Sequence, residues 1–169
     1  MKTLTQPLRK EHKELLPHIE TILRVAEQIG ERSVAEIRSG VDEVYDFLAY
    51  HLKPHAEAEE AALYPAVQRA LGSPDATKTM SRDHVEVGRY IDELAALRNA
   101  LTVPTLTGAQ VKDLRRVLYG VYALVHVHFA KEEEVYLPIL EAWLTPESAR
   151  EMFEAMETAA HAAKHAAHA

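Results

Sequence analysis

"HFAKEEEVYLP", His128 to Pro138, lies late in the chain inside a long stretch of helical periodicity. Its His and first Glu are four residues apart, so on a helix they stand one above the other on the same face. That face should be apolar, because Val121, Val125, Val135 and Ile139 continue it on either side. A second stretch has the same frame: "HAEAEEAALYP", His55 to Pro65, again runs His, three residues, Glu-Glu, with Pro six residues past the first Glu.

Working outward, four apolar stripes recur at helical spacing. The first holds Leu8, Leu15, Ile19, Ile22, Ala26 and Ile29 and stops at Gly30. The second holds Val34, Ile37, Val41, Val44, Leu48, Leu52, Leu63 and Val67 and stops at "LGSP". The third holds Met80, Val87, Ile91, Leu94 and Leu101, with Ser73 read as its cap and Pro74 as its first residue. The fourth holds Val111, Leu114, Leu118, Val121, Val125, Val135 and Ile139. Thr145 and Pro146 then open a short, Ala-rich fifth helix. No segment alternates with period two, so no strand is expected. Short connections between long amphipathic helices predict an all-α, up-down-up-down four-helix bundle over residues 1–144, with a C-terminal helix and His/Ala-rich tail over 145–169. Pro17 and Pro54 fall inside helices and are expected to kink them.

Each stripe has a polar gap. His128 and Glu132 interrupt the fourth, His55 and Glu59 the second, His12 the first and His84 the third. Antiparallel helices rise about 1.5 Å per residue, so residues equally far from a shared loop lie at one height. By that count His12 falls within about a turn of His51 and His55, Glu59 is level with His84, and His84 with His128. Four helices bring their gaps to one layer. Left dry and unpartnered, these groups would each cost a few kcal/mol, and the ionised carboxylates more.

Composition narrows what the layer is for. The 169 residues include 19 Lys+Arg against 26 Asp+Glu, a net charge of −7 with no basic stripe, which disfavours nucleic acid. Cys is absent, removing disulfides and thiolate metal sites, while His numbers 10. The opening "MKTLTQPLRKEHKELL" has no apolar leader core and no apolar run reaches membrane length, so a cytoplasmic protein without a membrane partner is expected. Six imidazole and carboxylate donors exceed the four of a tetrahedral structural zinc site. They suit two metals with the two Glu as bridges, and the ligand chemistry fits Fe, Mn or Zn, iron foremost in a bundle interior.

"LRKEHKELL", "HAEAEEAALYP", "RDHVEVGRYIDEL" and "HFAKEEEVYLP", in this order and spacing, resemble the hemerythrin-like (HHE cation-binding) family over roughly residues 3 to 140. The resemblance implies a pair of non-haem Fe ions, oxo- and carboxylate-bridged, held by His12, His55, Glu59, His84, His128 and Glu132. It also implies small-molecule partners, namely O2, H2O2 or nitric oxide, in a monomer or homodimer. The O2 carriers of the family have a second His one turn past the first on the third helix, where this chain has Gly88. Their last carboxylate is an Asp five residues beyond the His, where this chain has Glu132 at four. The chain is therefore read as binding and redox-processing O2, peroxide or nitric oxide, with catalase-like chemistry as one form. The alternative is a non-catalytic iron- or oxygen-responsive sensing module. Relatives that repair iron–sulfur clusters carry cysteines, and this chain has none.

His51, one turn before His55, is the first candidate for a further ligand, and Tyr136, one turn past Glu132, the second. His18 and His126 sit one position off their stripes and are read as flanking residues. Glu60, Glu133 and Glu134 are read as facing solvent, although a Glu beside a ligand can hydrogen-bond a metal-bound imidazole. His161, His165 and His168 share one face of the last helix, where a weak surface site competes with a frayed terminus. The Glu-x-x-His of ferritin-like diiron proteins and the His-Glu-x-x-His of zinc proteases are both missing.

Overall fold

The computed structural model of the chain describes residues 3–102 and 104–167. Five helical runs account for it. Helix α1 is Gln6–Gln28. Helix α2 runs over 34–71, as Val34–Phe47, a π-helical turn Leu48–Leu52, Lys53–Ala58, a second π turn Glu59–Leu63, and Tyr64–Leu71. Helix α3 is Lys78–Asn99. Helix α4 runs over 108–143, as Gly108–Lys131, a π turn Glu132–Tyr136 and Leu137–Trp143. Helix α5 is Pro146–Ala167. There is no strand among the described residues. Among the described residues no helix is long and apolar enough to cross a membrane.

Local chemistry sets several of the ends. Ser33 and Glu36 exchange side-chain and backbone hydrogen bonds at the start of α2, and Thr107 and Gln110 do the same for α4. At α5 the Ser148 N–H donates to Thr145 Oγ1 at 3.2 Å, as the Thr-Pro signal predicts. Helix α2 closes on Gly72 at φ +64°, which lets the Ser73 N–H reach the Gln68 carbonyl at 3.0 Å. Ser73 does not cap α3. Its hydroxyl accepts from the Asp75 N–H at 3.3 Å within a turn, and the helix starts four residues after Pro74, at Lys78. Thr77, buried and accepting from Gln68 Nε2 at 2.7 Å, pins that turn against α2.

The prolines act through π turns. The N–H groups of Lys53, Tyr64 and Leu137 donate five residues back, to the carbonyls of Leu48, Glu59 and Glu132. Each is followed at once by proline: Pro54, Pro65 and Pro138. In an unbroken α-helix each ring would strike the carbonyl four residues before it, and the wider turn relieves that conflict. Pro17, by contrast, sits in a helix that stays α-helical from Gln6 to Gln28. An added residue also rotates the following face by about 100°. Val135, read as a core residue, is accordingly 49% exposed, and Leu137 and Leu140 are fully buried in its place.

Helices α1 to α4 pack in cyclic order, each against its chain neighbour, with α4 returning to α1. Their apolar faces make two clusters. One includes Ile19, Val44, Leu52, Val87, Ile91, Val125 and Phe129. The other includes Leu8, Leu63, Tyr64, Met80, Leu137 and Leu140, and α5 completes it with Ala149, Met152 and Met156. On every bundle helix the polar gap falls between the two: His12 after Leu8, His55 and Glu59 between Leu52 and Leu63, His84 between Met80 and Val87, and His128 and Glu132 between Val125 and Leu137.

Candidate metal centre

The two apolar clusters bound a layer of buried polar groups. His12, His55 and His128 are at most 4% exposed and Glu59 and Glu132 not at all, while the His84 side chain reaches 11%. The six residues whose spacing predicted a shared layer therefore meet. Glu59 Oε1 lies 2.9 Å from His55 Nε2 and 3.9 Å from His12 Nε2. Its other oxygen, Oε2, lies 3.2 Å from His84 Nε2 and 3.8 Å from His128 Nε2. Glu132 repeats the pattern, with Oε2 3.4 Å from His12 Nε2 and Oε1 3.5 Å from His128 Nε2. Glu59 thus faces two histidine pairs, one oxygen to each, and Glu132 faces one histidine of each pair. The donors fall into two sets, His12, His55, Glu59 and Glu132, and Glu59, His84 and His128, joined through Glu59.

Several of these atoms point at one another without hydrogen-bonding. His12 Nε2, His55 Nε2, both Glu59 oxygens and Glu132 Oε2 are buried with no hydrogen-bond partner. Buried polar atoms normally have one, so a convergent, unpartnered set of this kind is able to hold a cation at its focus. Nitrogen and carboxylate oxygen without thiolate suit iron, manganese or zinc.

A family comparison agrees with this geometry. Residues 3–140 match the family model of the hemerythrin HHE cation-binding domain. The chain belongs to the hemerythrin HHE family. No curated protein and no solved structure gives a match. As a member of that family the protein binds a cation, and its buried His and Glu groups are able to hold one.

The outer nitrogens of this HHE domain are as ordered as the inner ones. Nδ1 of His12 donates to Glu133 at 2.8 Å, Nδ1 of His84 to Glu60 at 2.8 Å and Nδ1 of His128 to Asp83 at 3.0 Å. Glu11 stands 3.1 Å from Nδ1 of His55, off hydrogen-bond alignment. A carboxylate only accepts, so Nδ1 carries a proton, and whenever the ring is neutral Nε2 has its lone pair turned inward. Each acid adjoins a donor on its own helix yet serves the next helix round the bundle. Glu11 on α1 serves α2, Glu60 on α2 serves α3, Asp83 on α3 serves α4, and Glu133 on α4 serves α1. Arg9 is paired with Glu133 and Lys131 with Asp83, while Ser81 donates to Glu60 at 2.9 Å. Glu60 and Glu133 therefore face imidazoles rather than water alone, and Glu134 is exposed. The sequence reading missed Glu11 and Asp83, although an acid directly before His12 and His84 was a usable signal.

The candidates for a further ligand are placed differently. His51 is exposed and stacks beside Phe47, outside the layer. Tyr136 donates to the Ala76 carbonyl at 3.2 Å. The hydroxyl inside the centre belongs to Tyr64, which donates to Glu132 Oε1 at 3.1 Å and stands 3.2 Å from His128 Nε2 and 3.3 Å from His84 Nε2. In a π turn the residue five after Glu59, not four, returns to its face, so α-helical counting passes over it. His18 stacks on Phe47 and His126 lies exposed beside Tyr122. His168 lies outside the described residues.

Electrostatics follow from burial and proximity. Burial alone would lower His55 and His128, but the neighbouring carboxylates outweigh it. His55 is held well above the ordinary imidazole range by Glu59 and Glu11, and His128 is pushed up to about 10 by Glu132 and Glu59. Burial would raise Glu59, yet His55, His12 and His128 hold it well below the usual carboxylate range. Glu132 is raised by burial and by the charge of Glu59, and Tyr64 by burial and by both carboxylates. With no cation, imidazolium groups balance the carboxylates.

Proposed function

We propose that this HHE domain holds two non-haem iron ions and uses them to bind and redox-process O2, peroxide or nitric oxide. The observation that carries the reading is the pair of carboxylates, Glu59 and Glu132, each with one oxygen toward His12 and the other toward His128. In this reading His12 and His55 hold one ion, His84 and His128 the other, and the two Glu serve both. The Tyr64 hydroxyl adds an oxygen donor on the His84–His128 side. The iron pair supplies reversible one- and two-electron chemistry when bound.

The protein's own contribution is orientation, exclusion of water and proton placement. Glu133, Glu60 and Asp83 fix three imidazole rings by hydrogen bonds, Glu11 stands beside the fourth, and Phe129 stacks on His12 with ring centroids 4.4 Å apart. Leu52, Val87, Val125 and Phe129, with His55, His84, His128 and Glu59, line a cavity of about 10 Å³ against the centre. That is at the limit for one water-sized molecule, so it leaves no room for an organic substrate. Tyr64 and Glu132 share the one hydroxyl proton inside the layer.

The test is metal content per chain by plasma mass spectrometry, on untagged protein purified without added metal. About two irons per chain are expected, with loss of both in Glu59→Ala and Glu132→Ala. Folded protein that stays metal-free after anaerobic reconstitution with ferrous iron overturns the reading. A loaded protein inert to O2, H2O2 and nitric oxide overturns its redox half.

A further inference from the structure

The last helix carries a second pair of imidazoles that the buried centre does not use. His161 and His165 are one turn apart on α5, both exposed, with ring centroids 4.4 Å apart and Nε2 atoms 3.3 Å apart. Two nitrogens that close satisfy each other only by sharing a proton or by holding a cation between them. A tetrahedral ion bonded to imidazole at about 2.0–2.1 Å keeps two such nitrogens about 3.3 Å apart. The buried centre has the same spacing, with 3.1 Å between Nε2 of His84 and Nε2 of His128.

The surroundings connect this pair to the centre. His161 lines a groove of about 360 Å³ between α1, α2 and α5, together with Leu8, Glu11, Met156, Glu157 and Lys164. Glu11 is the carboxylate 3.1 Å from His55 Nδ1, so the groove reaches the outer edge of the buried layer. Glu157 and Glu11 attract a cation along it and Lys164 opposes one. Two neutral imidazoles, with water filling the other positions, bind a borderline divalent metal loosely enough to release it.

We propose that His161 and His165 form a surface site for a divalent transition-metal ion, and that metal passes from it along this groove to the buried centre. The passage, though not the site, rests on reading that centre as a metal site. The first experiment titrates Ni2+ calorimetrically into the full chain and into H161A/H165A, each also in a Glu59→Ala/Glu132→Ala background. The intact histidine pair is expected to take up one more Ni2+ per chain in both backgrounds, and equal uptake overturns the site. The second follows anaerobic Fe2+ loading of metal-stripped protein. H161A/H165A is expected to fill the buried centre several-fold more slowly but to the same final extent, and equal rates overturn the passage. If neither protein takes up buried iron, the passage falls together with the function proposed above, while the nickel difference judges the surface site alone.

Discussion

At the scale of single residues, the decisive feature is that every inward imidazole has an acid on its outer nitrogen. Removing such an acceptor frees the ring to turn and lowers the basicity of Nε2, an effect of about 10- to 100-fold in metal affinity. Glu133→Gln and Asp83→Asn are expected to show it in chelator competition, whereas the exposed Glu134→Gln is not; equal affinity in all three would remove the positioning role. Protonation gives a second expectation. In the metal-free protein His128 titrates near 10 instead of 6.5, so its pairing with Glu132 and Glu59 stabilises the fold fully below about 6.5 and is lost as pH rises through about 10. Glu59, held low, adds stability above its ordinary 4.5 that disappears as pH falls through its folded value. Melting temperature of metal-free protein should therefore decline toward alkaline pH, while metal affinity climbs over the same range because the displaced proton no longer competes. A flat alkaline limb in both would contradict this charge balance.

At the scale of elements, both His-x-x-x-Glu-Glu motifs end in a π turn because of the proline that follows. Glu59 and Glu132 open these turns, and the residue five later faces inward: Tyr64 in one case and Leu137 in the other. Tyr64→Phe removes the hydroxyl and keeps the ring, so metal content should be retained while the absorption spectrum of the loaded protein shifts; an unchanged spectrum would place the hydroxyl outside the coordination sphere. Helix ends offer a cleaner energetic test. Gly72 closes α2 at φ +64° with nothing within 4 Å of an added Cβ, so Gly72→Ala meets only the left-handed backbone cost. That cost is about 1–2 kcal/mol, readable as a lowered denaturant midpoint with an unchanged slope.

At the scale of the molecule, two apolar clusters clamp a layer of buried His and Glu groups whose inward atoms are partly without hydrogen-bond partners. Binding confined to the folded state adds stability of about 2.7 kcal/mol when free metal stands at a hundred times its dissociation constant. Stripping with chelator should lower the melting temperature and ferrous iron should restore it, and no change on either step would mean the layer is balanced without metal. Helix α5 belongs to the same construction, since Ala149, Met152 and Met156 share a cluster with Leu63, Tyr64 and Leu137. Truncation after Leu144 uncovers that cluster, and a soluble truncated chain of undiminished stability would show that α5 is only an appendage.

What the sequence by itself determined is whatever obeys a fixed period. Apolar spacing of 3.6 residues marked the four helices, and the same period exposed His12, His55, Glu59, His84, His128 and Glu132 as polar intrusions on one level. The Thr145–Pro146 start and the Gly72 stop were legible because capping is local chemistry. What only the tertiary structure decided depends on departures from that period or on contacts between helices. The π turns after Glu59 and Glu132 rotated the following faces, turning Val135 outward and bringing Tyr64 in where Tyr136 had the expected spacing. His51 fell outside the layer for a related reason: a residue one turn from a ligand shares its stripe only if no extra residue intervenes, and the turn Leu48–Leu52 lies there. The ring of Glu11, Glu60, Asp83 and Glu133 was hidden because each acid acts across a helix interface, on a histidine more than twenty residues away in the chain. Spacing along one helix sets which residues share a face; only packing sets which faces meet.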